Sequence, residues 1–197
     1  MNITQVKELV LQALEHERGG VKIYTAAVGC AVNGDLQKEW SGYLGQTKGH
    51  VTVLERVCKR MKIDPESETP GRAVVRHNGA ALVKTIEMAV SAGDRAAAEI
   101  VACECVVLAE TKDHANWELL GKCAENLEGD EAEALQEAYD EVEDQEDEHL
   151  YHTKGWCREL WLQSLGLTAV LPPPEECQKV KTAIGAARAQ QSAEKDR

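Results

Sequence analysis

The sequence contains no phenylalanine, and aromatic residues make up only 4% of its 197 positions. Only five prolines are present, and three of them stand together in the run Pro172–Pro174. Alanine, leucine, glutamate, lysine and glutamine are abundant instead, and these residues favour helix over sheet. Because strand-type alternation is also absent from the long segments, we predict an all-α protein with at least two-thirds helix and no sheet.

Basic charge is scarce as well, with 22 Lys and Arg against 34 Asp and Glu, which gives a net charge of −12. This acidity argues against nucleic-acid binding and against docking on anionic lipid. No apolar stretch approaches the length that spans a bilayer. The first residues lack the basic-then-apolar order of a signal peptide. We therefore expect a cytoplasmic protein with no nucleic-acid and no membrane partner.

No Cys-x-x-Cys pair occurs among the seven cysteines, which are scattered through segments of helical pattern. This absence argues against a zinc ribbon and against a rubredoxin-type iron centre. We expect free, mostly buried thiols in a reducing compartment.

Apolar residues recur every three or four positions along four long segments, which is typical of helices with one buried face. The predicted long helices cover residues 4–32, 36–61, 95–126 and 131–165. A shorter helix over residues 72–91 lies in the connection between the second and third of them. Two helical hairpins joined by a long crossover predict an antiparallel four-helix bundle over residues 1–166. A helical repeat array is the competing architecture, but we find no fixed-period repeat.

The remaining residues, 167–197, form a tail that opens with the proline run. We predict that any helix there is short, that the tail is partly flexible and that its last residues are frayed.

Polar residues interrupt each buried stripe at corresponding heights. The stripes contain Glu17 in the first long helix, Thr47 and His50 in the second, Glu110 and His114 in the third, and Glu146 and His149 in the fourth. Glu17 and His50 are equally far from the first turn, and Glu110 and His149 are equally far from the second. Each hairpin therefore brings its polar residues to one level, roughly 25 Å from its turn. Carboxylates and imidazoles buried at one level predict a site for a divalent metal.

This pattern resembles the ferritin-like di-metal carboxylate proteins, which include bacterioferritins, rubrerythrins and manganese catalases. Their pattern is Glu on helix 1, Glu-x-x-His on helix 2, Glu on helix 3 and Glu-x-x-His on helix 4. Over residues 4–165, the sequence matches five of these six positions, with Glu17, His50, Glu110, Glu146 and His149. The resemblance implies one or two iron or manganese ions and oxidoreductase chemistry on oxygen or peroxide. It also suggests that Tyr24 supports the ligands from behind, although a core role is the commoner one for a tyrosine.

The sequence departs from this pattern at Thr47, which stands in place of a carboxylate. We therefore expect one tightly held ion near Glu110, Glu146 and His149, and a weak or empty second position. His114 is the residue that could compensate, whereas His16, His77 and His152 are interpreted as surface residues or as neighbours of the ligands.

Two alternatives stay open at this point. Glu104 competes with Glu110 for the role of ligand on the third long helix, and Glu110 is preferred because its height matches that of His149. A non-enzymatic helical protein of the stress or interaction type, with a degenerate metal site, is the second functional hypothesis, and an iron-storage cage ranks lowest. The third long helix is apolar nearly all round, so we also expect a homodimer.

Overall fold

A computed structural model describes residues 1–195, and helices account for 83% of them. No strand occurs in this range, so the predicted all-α class and helix content are confirmed. Seven helices follow one another: α1 Ile3–Cys30, α2 Gly34–Arg60, α3 Pro70–Ser91, α4 Arg95–Asn126, α5 Asp130–Ser164, α6 Pro174–Cys177 and α7 Ala183–Lys195. None of the helices described is both long enough and apolar enough to cross a membrane.

Capping side chains fix where the long helices begin. Asn2, Asn33, Thr69 and Asp94 each accept a hydrogen bond from a backbone N–H in the first turn of the helix that follows. Gly129, with φ of +72°, makes the turn into α5, where a side chain would be strained. The five long helices start and stop within two residues of the predicted limits, because these capping and turn residues are visible in the sequence.

Four long helices form a closed ring, in which α1 packs on α2, α2 on α5, α5 on α4, and α4 on α1. The remaining long helix, α3, lies against α1 and α4. Near the start of α4, Glu99 accepts hydrogen bonds of 2.6 Å from the backbone N–H groups of Val32 and Asn33. This contact places the start of α4 beside the α1–α2 turn, whereas α2 ends at the opposite end of the ring. The connecting helix α3 therefore runs along the length of the ring.

The interior of the ring contains two hydrophobic clusters with a polar layer between them. One cluster includes Leu14, Leu54 and Leu135, towards the end where α2 stops. The other includes Trp40 and Trp156, towards the α1–α2 turn. Each of the four helices contributes to both clusters and carries polar buried residues in the stretch between them. The polar layer is therefore enclosed by apolar side chains along the ring axis.

The C-terminal segment packs on α5 through α6, and α7 packs on α6. Glu175 is fully buried, and its carboxylate pairs with Arg158 at 2.6 Å. Gly155 makes this approach possible, because a Cβ there would lie 2.7 Å from Glu175 Oε2 and 2.9 Å from a Pro173 carbon. The segment is thus anchored by tertiary contacts as far as Lys195. The predicted fraying of the last residues concerns positions 196 and 197, which lie outside the described residues.

All seven cysteines are free thiols, and four of them are buried.

Candidate metal centre

Five buried side chains from α1, α2, α4 and α5 meet in the polar layer. His50 Nδ1 lies 3.3 Å from Glu17 Oε1 and 2.9 Å from Glu146 Oε1. His149 Nδ1 lies 3.5 Å from Glu110 Oε2 and 3.7 Å from Glu146 Oε1. These residues form two sets of three, and within each set the ligand atoms lie within 4.8 Å of one another. Glu146 belongs to both sets, so it stands between the two halves of the centre.

Four ligand atoms of this group are buried without a hydrogen-bond partner: Nδ1 of His149 and the Oε2 atoms of Glu17, Glu110 and Glu146. Nδ1 of His50 has only the carboxylates of Glu17 and Glu146 beside it. Buried polar atoms in native proteins are nearly always partnered, so such a concentration of unpartnered atoms needs an explanation. Carboxylate oxygens and imidazole nitrogens facing a common space fit a divalent cation, whose bonds to such ligands are about 2.0–2.2 Å long.

Two glutamines orient the histidines from the outer side. The Nε2 atom of His50 lies 3.0 Å from Gln145 Oε1, and that of His149 lies 2.8 Å from Gln46 Oε1. Because an amide oxygen only accepts, Nε2 of each imidazole carries a proton and donates it. Nδ1 of each ring then faces the carboxylates, which is the orientation that a metal ligand needs.

The two hairpins contribute matching supports. Each glutamine precedes the histidine of its own hairpin by four residues and bonds the histidine of the other hairpin. An aromatic residue follows each glutamate by seven positions: Tyr24 after Glu17, and Trp117 after Glu110. Trp117 Nε1 donates to Glu17 Oε1 over 2.8 Å, and the Tyr24 hydroxyl is buried beside Glu110. The sequence interpretation included Tyr24 but missed Trp117 and both glutamines. The signal available for them was that the two hairpins repeat the same spacings, four residues from glutamine to histidine and seven from glutamate to the aromatic residue.

Thr47 breaks this correspondence, because its counterpart in the second hairpin is Glu146. Its hydroxyl donates to the backbone oxygen of Tyr43 over 2.9 Å. Its methyl group faces α1 and would lie 3.2 Å from a Cβ at Gly20. Thr47 is buried in the layer but contributes no charge to it. The α1–α2 side of the centre therefore has one carboxylate fewer than the α4–α5 side.

Asp113 is a buried carboxyl group that the sequence interpretation missed. It follows Glu110 by three residues, and its Oδ1 has no hydrogen-bond partner. Burial, together with the charges of Glu17, Glu146 and Glu110, raises its pKa well above the usual range of an aspartate. The sequence analysis predicted His114 on the buried stripe at this turn of the helix. In the structure the neighbouring Asp113 is the buried residue.

One imidazole offsets part of the negative charge of the layer. Burial lowers the pKa of His50, but hydrogen bonds and charges from Glu146 and Glu17 outweigh it and raise the pKa to about 11. Burial and the charge of Glu17 raise the pKa of Glu146 to about 7. A proton on His50 thus provides positive charge at the place where a cation would bind, and a bound cation would replace it.

The other candidate residues lie outside the group of five. Glu104 is exposed and accepts a hydrogen bond of 3.0 Å from Trp161, so it does not compete with Glu110. His114 is half-buried, and its Nε2 lies 2.7 Å from Asp147 Oδ1. His16 bonds a backbone oxygen of α4, His77 is exposed, and His152 contacts the Tyr43 hydroxyl. Neither Glu104 nor His114 can replace the carboxylate that is missing at Thr47.

A cavity of about 220 Å³ leads from the surface to the centre. It lies between α4, α5 and residues 181–182, and Glu146 and Trp117 form part of its wall. Its lining also includes Glu118, Glu143 and Asp147, together with His114 and Lys181. Because the four carboxylates outnumber these two groups, the cavity attracts cations and is a suitable path for a metal ion.

Comparisons of the chain with protein-family models, with curated proteins and with solved structures gave no match. The chemistry of the centre is therefore inferred from its own residues: their unpartnered atoms, the orientation of the two histidines and the carboxylate-lined path to Glu146.

Proposed function

We propose that the chain is a ferritin-like four-helix-bundle protein that binds iron or manganese and uses it in redox chemistry on oxygen or peroxide. The closed ring of four helices, with α3 as the crossover, supports the ferritin-like part of the proposal. The observation that carries the metal site is the convergence of buried ligand atoms on Glu17, His50, Glu110, Glu146 and His149, four of which have no hydrogen-bond partner.

The donor set favours iron or manganese over softer or harder ions. Carboxylate and imidazole together suit these metals, whereas calcium and magnesium prefer oxygen alone and copper(I) prefers sulfur. When bound, such an ion supplies electrons to oxygen or peroxide. In the first half of the centre, Glu110 and Glu146 would neutralise the charge of one divalent ion, and His149 would fix its position.

The residues around the ligands hold them ready for the metal. Gln46 and Gln145 accept hydrogen bonds from Nε2 of the two histidines and so keep Nδ1 of each ring facing inward. Trp117 fixes one oxygen of Glu17 and leaves the other free. The hydrophobic clusters on both sides of the layer exclude bulk water, which strengthens every charge interaction inside it. A small oxidant could reach the centre through the cavity that is lined by Glu146.

The two halves of the centre are expected to bind with different strength. The half formed by Glu110, Glu146 and His149 has both carboxylates of its hairpin in place. The half formed by Glu17 and His50 has Thr47 where the pattern calls for a carboxylate. One tight ion in the first half and a weak second position follow from this difference in charge.

We also propose that the protein is cytoplasmic and forms a homodimer. Leu108 and Leu119 of α4 are exposed by 61% and 51%, and they provide an apolar surface for a second copy of the chain. Sedimentation equilibrium would measure the mass of the assembly directly.

Metal content tests the proposal. The protein would be purified without chelator and its metals measured by elemental analysis, followed by anaerobic titration of metal-free protein with Fe²⁺ and with Mn²⁺. We expect one tight equivalent per chain, lost in His149→Ala and retained in His77→Ala, whose histidine is exposed and remote from the layer. Oxygen or peroxide consumption by the loaded protein would then test the redox step. The absence of tight binding in the unmodified protein would favour the non-enzymatic helical protein instead.

A further inference from the structure

A second cleft, of about 600 Å³, lies on the outer side of α1 and α2, beside the start of α3. Basic residues dominate its lining although the chain carries a net charge of −12: Arg18, Lys22, Lys48, Arg72 and Arg76. This concentration of positive charge in an acidic protein is not explained by the metal centre, which lies inside the ring.

Ion pairs hold the three arginines in place. Arg72 is almost completely buried and bonds Glu15 at 2.7 Å. Arg76 bonds Glu15 at 2.8 Å, and Arg18 bonds Glu66 at 2.7 Å. Arg18 also bonds Glu55, and Arg76 also bonds Glu68, so the three arginines are paired with four carboxylates and the free positive charge of the cleft comes from its lysines.

The two lysines differ from the arginines, because neither forms an ion pair with any residue in the range 1–195. Lys22 on α1 and Lys48 on α2 are both exposed, and both line the cleft. Val21 and Val51, which are half-buried, form an apolar floor between the two helices. The cleft therefore combines two uncommitted ammonium groups with an apolar surface.

We propose that this cleft binds a small organic anion with a single hydrocarbon chain. The anionic head would lie between Lys22 and Lys48, and the hydrocarbon chain would cover Val21 and Val51. Ammonium groups on flexible stems act as point charges and accept carboxylate or phosphate heads alike. Burial of the hydrocarbon chain adds an attraction that a purely hydrophilic anion lacks. This proposal does not depend on the metal centre.

Binding of four probes to the full chain tests the chemistry, with affinity measured by isothermal titration calorimetry. Octanoate and octyl phosphate carry both head and chain, acetate carries only the charge, and 1-octanol carries a chain of the same length without charge. We expect octanoate, octyl phosphate or both to bind at least about tenfold more tightly than acetate and 1-octanol. The two eight-carbon anions distinguish a carboxylate ligand from a phosphate ligand.

A pair of charge-matched double variants locates the site. Lys22→Gln with Lys48→Gln should weaken binding of the preferred anion at least about tenfold, without unfolding the protein, because neither lysine forms an ion pair. Lys59→Gln with Lys154→Gln removes the same charge from exposed helix positions outside the cleft and should leave affinity within about twofold. Equal weakening in both variants, binding of 1-octanol as tight as that of the anions, or no saturable binding of either anion below millimolar concentration would overturn the proposal. Circular dichroism would establish that the variants are folded.

Discussion

Glu15 and Glu17 are two buried carboxylates only two residues apart on α1, yet their surroundings are opposite. Glu15 faces α3, where Arg72 and Arg76 neutralise its charge. Glu17 faces the interior of the ring, where it meets His50 and Trp117 and keeps one oxygen without a partner. The same residue type on the same helix thus serves a structural contact on one face and a candidate binding centre on the other.

The difference shows how a buried charge can be interpreted. When both oxygens of a carboxylate are paired with cationic side chains of the protein, the carboxylate cannot also bind a ligand. Its role is then to hold helices together. A carboxylate whose neighbours are further carboxylates and inward-facing imidazoles is incomplete by itself. The following predictions test whether this distinction between the closed Glu15 cluster and the open Glu17 cluster holds.

The closed cluster should respond most strongly in stability. Arg72→Met leaves Glu15 buried without its nearest guanidinium, and we expect the free energy of unfolding to fall by about 3–5 kcal/mol. Arg76→Met is the matched control: its side chain is 43% exposed, so its removal should cost about 1 kcal/mol or less. Guanidinium chloride unfolding of metal-free protein measures both values. A loss below about 1 kcal/mol for Arg72→Met would contradict the structural role of the pair.

The open cluster should respond in metal affinity. Glu146 belongs to both sets of ligands, so Glu146→Gln should weaken every metal position by about 100-fold or more. Glu17→Gln removes a carboxylate from one set only and should leave the tight ion within about tenfold. Anaerobic Mn²⁺ titration followed by electron paramagnetic resonance gives both affinities. Equal losses in the two variants would show that the centre does not divide into two halves around Glu146.

Thr47→Glu should make the two halves of the centre more alike. The new carboxylate restores the pattern of the second hairpin and supplies the charge that a second ion requires, so occupancy should rise from about one to about two ions per chain. Thr52→Glu adds the same charge at an exposed position of α2 and should leave occupancy unchanged. Elemental analysis after loading and desalting measures the ratio. Two tight ions in the unmodified protein would show that threonine at position 47 does not weaken the second metal position.

The smallest expected effect is on the pH dependence of stability, and it involves Glu176. This carboxyl group is half-buried and belongs to neither the closed Glu15 cluster nor the open Glu17 cluster. Burial and its contact with Glu39 raise its pKa to about 8, so the folded protein holds a proton that the unfolded chain releases near pH 4.5. This stabilisation is complete below about pH 4.5, declines as the pH rises and is gone above about pH 8. The free energy of unfolding should therefore fall between about pH 4.5 and pH 8, by about 1 kcal/mol or less because solvent screens a half-exposed group.

Glu176→Gln keeps the neutral form at every pH and should make that decline smaller by the contribution of Glu176, while the contributions of Glu146 and Asp113 remain. Glu194→Gln, at an exposed position of α7, is the control that should retain it. Thermal unfolding in the presence of chelator would follow the change without interference from bound metal. An unchanged decline in Glu176→Gln would assign the pH dependence to other groups.

The helices were predictable because their signals are local. Repeating apolar stripes, the caps at Asn33 and Asp94 and the turn at Gly129 all lie within a few residues of the boundaries that they determine. The packing of α6 on α5 was not predictable in this way. It depends on the pairing of Glu175 with Arg158, which are 17 residues apart and meet only when the chain has folded.

The candidate centre was predictable to the extent that stripe and height determine it. Glu17 with His50 and Glu110 with His149 were matched by their distances from two turns, and these side chains do contact each other. Stripe position does not resolve neighbours on a helix wheel, so His114 was chosen where Asp113 is the inward residue. Contacts between hairpins, such as that of Gln145 with His50, are indicated in the sequence only by the equal spacing of each glutamine from the histidine of its own hairpin.

Trp117 gives the centre an optical property. Its indole donates to Glu17, and its ring lies 6.1 Å from the ring of His50. Iron and manganese ions are paramagnetic, and they quench the emission of an indole held at such short range. Of the other three tryptophans, Trp40 and Trp156 are buried in the cluster near the α1–α2 turn, and Trp161 is partly exposed. The difference between the fluorescence of the unmodified protein and that of Trp117→Phe therefore isolates one built-in reporter, through which loading and release could be followed in real time without a label.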